Sequence, residues 1–200
     1  MIPSRGFTLI ELIVSLGIFA IMTALVVAKY GNFNQTVLFT NLAYDTALVI
    51  RTAQTYGLSV RREGTGIGDF QHAYGVQVTT RSSGSENKEI ILYSDSNDSK
   101  KYEPSDTVVS RYNIKRGAYI SETCTLTSGT ETCWESSGPS ASVNHNVNIT
   151  FKRPDPNAVI YRGGNTTVPS ASRLRIELTG TDGSTRNVIV MSNGQISVEN

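Results

Sequence analysis

The stretch that decides the fold runs from Gly6 to Ala28, GFTLIELIVSLGIFAIMTALVVA. From Phe7 to Ala28 the residues are apolar or small, and Glu11 is the one ionisable exception. At about 1.5 Å per residue this segment makes a helix of roughly 33 Å, enough to cross a hydrocarbon core of about 30 Å. In an ordinary secretory signal the apolar run leaves with the cleaved piece. Here a short leader, Met1 to Gly6 with Arg5, comes first, and Gly6 offers a small residue where a peptidase could cut. The apolar run would then stay with the mature chain, and Phe7 would carry the new amine. Arg5 on the leader side predicts a cytoplasmic start and a head outside, because positive residues are retained inside.

Glu11 is the informative exception. An ionised carboxylate within a membrane helix costs about 2.5 to 3.5 kcal/mol on insertion scales, so a neutralising partner is expected. The Phe7 amine lies one turn away in the same chain, and the same amine on a neighbouring chain is equally available. A bundle of such helices could use Glu11 of one subunit and Phe7 of the next to set axial register. The alternative is a carboxylate close enough to the membrane edge to stay wet.

GFTLIEL followed by the apolar run resembles the class III signal of type IV prepilins and type II secretion pseudopilins. The resemblance implies cleavage between Gly6 and Phe7 by a prepilin peptidase, N-methylation of Phe7, and Glu11 as the carboxylate at the fifth mature position. It also implies partners: other pilin or pseudopilin subunits and an inner-membrane assembly platform. Ala28 stands where many major pilins carry a helix-kinking proline, which tilts the expectation towards pseudopilins or minor subunits.

Length and composition fit that outline. The 200 residues can hold a membrane helix and one further domain, and a net charge of +1 gives no strong pull towards nucleic acid or anionic lipid. Small residues at Gly17, Ala20, Ala24 and Ala28 fall along one ridge, the kind that lets membrane helices approach closely. From Lys29 polarity rises while the helical period persists. Leu38, Leu42, Val49, Ala53 and Tyr56 share a narrow sector, which Phe39, Ala43 and Ile50 widen. No proline falls between Pro3 and Pro104, and Gly57 is placed to end the helix. One helix is therefore predicted from about Phe7 to Tyr56, with Asp45 at its rim.

Past a glycine-rich connection over 57–74, with Gly64, Gly66 and Gly68, the period changes to two. Strands are predicted around Val76 and Val78, over 89–94, 107–114, 118–127 and 143–152, through Leu174, Ile176 and Leu178, over 186–191, and through Ile196 and Val198. The fold class is thus α+β: a long N-terminal helix on an antiparallel, β-rich head. The expected division is a leader over 1–6, a transmembrane half over 7–28, a soluble amphipathic half over 29–57 and the head over 58–200. The run FKRPDPNAVIY, then RLRIELTG, then RNVIVMSNGQISV looks like the closing strands of GspH/FimT-type minor pseudopilins.

Chemistry is sparse. That family includes a DNA-binding branch with a basic G-R-x-R at the last turn, but this chain has Gly194, Gln195, Ile196 and Ser197 there. DNA uptake is therefore the alternative function, resting only on Arg173, Arg175 and Arg186. His72 and His145 lie far apart, and G-x-S-x-G, H-E-x-x-H and C-x-x-C are all absent, so neither an enzyme nor a cofactor is expected. Asp95, Asn97, Asp98 and Asp106 could bind calcium, as some major pseudopilins do, but D-x-D-x-D-G is missing and a solvated turn is the simpler reading, so no metal site is assigned. A hairpin turning at Ser128 and Gly129 would set Cys124 opposite Cys133, where an oxidising compartment would favour a disulfide; two free thiols are the alternative. Trp134 beside it reads as either core or contact. The function expected is structural: a minor pilin or pseudopilin, single-pass in the bacterial inner membrane with its N-terminus cytoplasmic, assembled into a filament through its helix.

Overall fold

The computed structural model describes residues 6–59, 72–80, 87–135, 146–162 and 171–199, with side chains throughout except those of 29–36. The leader residues Met1 to Arg5, the glycines at 64, 66 and 68, and Val143 and His145 lie outside the described residues. The chain divides into two compact units, Met1–Phe39 and Thr40–Asn200. A single helix, α1 (Leu9–Leu58), supplies nearly all of the first and the opening of the second.

Over Phe7 to Ala28, within the first unit, α1 is uncovered. Every side chain from Phe7 to Ala28 is exposed, and no face is favoured. Hydroxyls along this stretch are satisfied within the helix: Ser15 Oγ donates to Glu11 O at 2.7 Å and Thr23 Oγ to Phe19 O at 2.8 Å. Neither therefore needs water.

Among its described residues the second unit has ten antiparallel strands: β1 (Ala73–Thr79), β2 (Glu89–Asp95), β3 (Thr107–Asn113), β4 (Tyr119–Thr127), β5 (Thr130–Glu135), β6 (Asn146–Lys152), β7 (Asp155–Arg162), β8 (Ala171–Thr179), β9 (Thr185–Met191) and β10 (Ile196–Glu199). They form two five-stranded sheets, β3-β2-β1-β6-β7 and β10-β9-β8-β4-β5. The α+β architecture read from the sequence is the observed one. Two strands were foreseen only indirectly, β5 as the second arm of the Ser128–Gly129 hairpin and β7 within the run FKRPDPNAVIY. β5 (TETCWE) is too polar for its period to announce it, and β7 follows Pro154 and carries Pro156 as its second residue, which suits an edge strand; both are edges.

In the first sheet, Tyr74, Val76 and Val78 of β1 share a face with Ser94, Leu92 and Ile90 of β2 and with Phe151, Ile149 and Val147 of β6. This face meets α1: the Tyr56 ring stands edge-on to Tyr74, centroids 5.7 Å apart. The buried side of α1 here comprises Leu42, Ala43, Thr46, Ala47, Ile50 and Ala53, while Val49 and Tyr56 are only half-buried. The sector read in the sequence, once widened by Phe39, Ala43 and Ile50, contains most of this side; Thr46 and Ala47 extend it further round, and the narrow stripe lies at its margin. Size explains the difference. The stripe ranked hydrophobicity, but alanines, a threonine and a glycine let the helix sit closest to the sheet.

Gly57 shows this most sharply. The helix runs one residue beyond it to Leu58, so Gly57 does not terminate it. A Cβ at Gly57 would collide with the carbonyl of Phe151. The Arg153 N–H also donates to Gly57 O at 3.0 Å, satisfying one of the carbonyls left open at the helix end.

The other face of the first sheet is covered as well, by the loop over 96–106. Tyr102 lies against Tyr93, centroids 5.4 Å apart, and its N–H donates to Asn148 Oδ1 at 3.0 Å. Asn148 and Thr150, which the alternation placed on a polar face, are consequently buried. The second sheet keeps its alternation: Leu174, Ile176 and Leu178 point inward, Arg173, Arg175 and Glu177 outward. Arg51 donates to Ile196 O at 3.1 Å and Gln54 to Gly194 O at 3.0 Å, tying α1 to the β10 end of this sheet.

Candidate functional site

The candidate site is the start of α1. Gly6, Phe7 and Thr8 precede the helix and are exposed. Thr8 is its N-cap: the Thr8 N–H and hydroxyl donate to Glu11 Oε2 at 2.9 and 2.7 Å, and the Glu11 N–H donates back to Thr8 Oγ1 at 3.3 Å. This is a reciprocal capping box, which satisfies orphan donors at the helix start. Glu11 therefore has a partner in Thr8, which the sequence reading left out. The signal was present as T-x-x-E over residues 8–11. The register role of Glu11 needs a second chain and stays a proposal, as do the cleavage and methylation assigned to Gly6 and Phe7.

Beyond the cap, Leu9–Ala28 is 20 residues with mean hydropathy 2.5 and none of it buried, long and apolar enough to cross a membrane. A side chain at Gly17 would meet nothing within 4 Å. The segment thus offers an apolar surface on all sides.

Residues 1–27 match the family described as the prokaryotic N-terminal methylation motif. The match spans the leader, the Gly6–Phe7 junction, Glu11 and almost all of the apolar run, and it supports a peptidase-processed subunit of type IV pilin-like or pseudopilin kind, assembled with other such subunits. An apolar helix in this position fits a membrane-anchored pilin. The comparisons find no match among curated proteins or solved structures.

In the head, Cys124 and Cys133 are joined, with the sulfurs 2.05 Å apart. Ser128 (φ 49°) and Gly129 (φ 83°) make the two-residue turn that fixes this register. Trp134 lies at the edge, half-buried, with the Arg162 guanidinium 3.6 Å from its ring centre. The arginines considered for nucleic acid are largely occupied: Arg173 pairs with Glu131 at 2.9 Å, and Arg175 pairs with Glu122 at 2.8 Å and Glu177 at 3.3 Å. Arg186 donates to its neighbour's carbonyl, Thr185 O, at 3.0 Å.

The acidic loop is a built cover rather than a solvated turn. Asp95 accepts the backbone N–H groups of Ser99 and Lys100 at 3.0 and 2.7 Å, and Asp106 accepts that of Glu103 at 2.8 Å. Burial pushes the Asp95 carboxyl above its ordinary range despite those bonds. Asp98 goes the other way: burial opposes it, but the ammonium groups of Lys152 and Lys100 outweigh that and hold it low. Asp95 and Asp106 thus hold the backbone of the loop that covers Tyr93. Asp45, expected at the helix rim, is exposed and accepts the Tyr112 hydroxyl of β3 at 3.1 Å.

Proposed function

We propose that this chain is a minor pilin or pseudopilin of the GspH/FimT-like kind, cut after Gly6, N-methylated on Phe7 and built into a type IV pilus-like or type II secretion filament. The single observation that carries the reading is the coincidence of the methylation motif over 1–27 with a helix uncovered on every side over Leu9–Ala28. A helix of that length and composition is soluble only among lipid tails or among copies of itself. Residues 7–28 would serve as anchor before assembly and as filament core after it, 29–57 as the stalk-side half of the helix, and 58–200 as the displayed head. The cytoplasmic N-terminus and external head follow from Arg5.

Glu11 would set register by meeting the Phe7 amine of a neighbour. Cleavage frees that amine immediately beside the Thr8–Glu11 box, so the carboxylate can exchange a hydroxyl partner for a cationic one. Mass spectrometry of the mature protein should find methylated Phe7 at its N-terminus, and a start downstream of Ala28 would end the proposal. Glu11→Ala should leave membrane insertion intact and lower filament incorporation roughly tenfold or more, the scale expected for an unpaired amine in an apolar bundle. Unchanged incorporation would remove the register role. The DNA-uptake alternative gains no support from the head, where Arg173 and Arg175 are already paired with carboxylates.

A further inference from the structure

The disulfide between Cys124 and Cys133 is asymmetric, and the asymmetry is chemical. Cys124 is 1% exposed, whereas Cys133 is exposed on β5, the edge of its sheet, and among the described residues no further strand covers it. Arg175 on the neighbouring β8 places Nη2 at 2.8 Å from Cys124 Sγ and 3.7 Å from Cys133 Sγ. The same nitrogen is held by Glu122 Oε2 at 2.8 Å, and Nη1 by Glu177 at 3.3 Å, so the guanidinium is fixed from three sides. Glu131 stands 3.9 Å from its Nε. One sulfur is thus open to attack, and the other carries a positioned cationic donor.

We propose that this bond is a site of thiol–disulfide exchange with an external thiol, entered at Cys133 and released at Cys124. A thiolate R–S⁻ attacks Cys133 Sγ and forms an R–S–S–Cys133 bond. The Cys124–Cys133 bond breaks, and its electron pair leaves on Cys124 Sγ, where the Arg175 N–H stabilises the thiolate. A second R–S⁻ then attacks the R sulfur, giving R–S–S–R and the Cys133 thiolate. Two thiols are oxidised, the disulfide is reduced, and both cysteine thiolates take up protons from water. Run backwards, the same steps install the bond. Exchange is faster when the leaving sulfur is the more stable anion, and a neighbouring guanidinium supplies that stability. Arg175 is a positioning residue in this scheme. Its pairing with Glu122 and Glu177 explains why an arginine on a solvent-facing strand is aimed at a sulfur. The inference does not depend on the filament reading, since it concerns the head alone.

The test uses the full chain in detergent, treated with reduced glutathione, trapped with N-ethylmaleimide and mapped by peptide mass spectrometry. Glutathione should be found on Cys133 and maleimide on Cys124, with a preference of about tenfold or more. An even split, or adducts mainly on Cys124, overturns the proposal. Arg175→Gln should slow adduct formation about threefold or more, and Arg175→Lys should recover most of that rate. Equal rates in all three proteins would overturn the leaving-group assignment. The site preference in the unmodified protein decides the point of entry even where a variant folds poorly.

Discussion

The two ends of α1 differ in what their apolar residues touch. Over Leu9–Ala28 every face is apolar and none is buried; Ile13 is 56% exposed. Over Thr40–Leu58 one side is closed against β1 and β6, with Ile50 and Ala53 wholly buried, while Tyr44 and Leu48 remain outside. Uniform greasiness singles out no one face for a partner. A one-sided row of small residues records a partner within the chain. The carboxylates repeat the contrast. Glu11 is bonded within its own first turn, and Asp45 is bonded from a strand distant in sequence.

The largest effect that could break this comparison is in the core. Ile50→Ala should destabilise the head by about 2 to 5 kcal/mol, the usual cost of a large-to-small change at a buried site. Ile13→Ala should leave head stability unchanged. Trp134 is the only tryptophan and lies in the head, so its fluorescence during urea unfolding of the full chain in detergent reports both variants. Equal losses would mean that exposure does not separate the two stretches in what they contribute to the head.

Glycine gives a finer version. Gly57→Ala puts a Cβ into the Phe151 backbone and should cost about 1 to 3 kcal/mol, although alanine is the better helix former by about 1 kcal/mol. Gly17→Ala meets open space and should leave the same unfolding midpoint in place. If Gly57→Ala is neutral or stabilising, the close approach of α1 to β6 is not what holds the helix there.

These contrasts also mark how far the sequence could be read. The membrane stretch, the α1 limits within two residues, most of the strands and the Ser128–Gly129 hairpin depend on composition, period or turn chemistry, all local. The order β3-β2-β1-β6-β7 depends on which distant strands pair, and alternation carries no such address. Most of the buried α1 face was in the sector read from the sequence, but its centre was misplaced because Thr46, Ala47 and Gly57 score low as apolar residues, yet they set the distance of approach. Asp95 and Asp106 looked like a solvated or metal-binding group because what they bind is backbone, which no motif spells out. At the candidate site, Gly6, Phe7 and Glu11 were singled out, but Thr8 was overlooked although its capping pattern is entirely local.

The smallest expected effect concerns Tyr112 and Asp45, the polar tie between β3 and the head end of α1. Burial, reinforced by the Asp45 carboxylate and its hydrogen bond, pushes the Tyr112 hydroxyl up to about 12 from an ordinary value of 10.0. The folded state therefore keeps the phenol proton where the unfolded state has lost it. The bond's contribution is complete below about pH 10 and disappears as pH rises to about 12. Because Tyr112 is only half-buried and Asp45 is exposed, the contribution is screened to about 1 kcal/mol or less. Tyr112→Phe should accordingly be slightly less stable than the unmodified chain at pH 8, and the two urea midpoints should converge between pH 10 and 12. Midpoints that already coincide at pH 8 would show that Tyr112 supports the head by ring packing alone. Asp45 would then be as detached from the sheet as Glu11 is, and the contrast between the two carboxylates would fail.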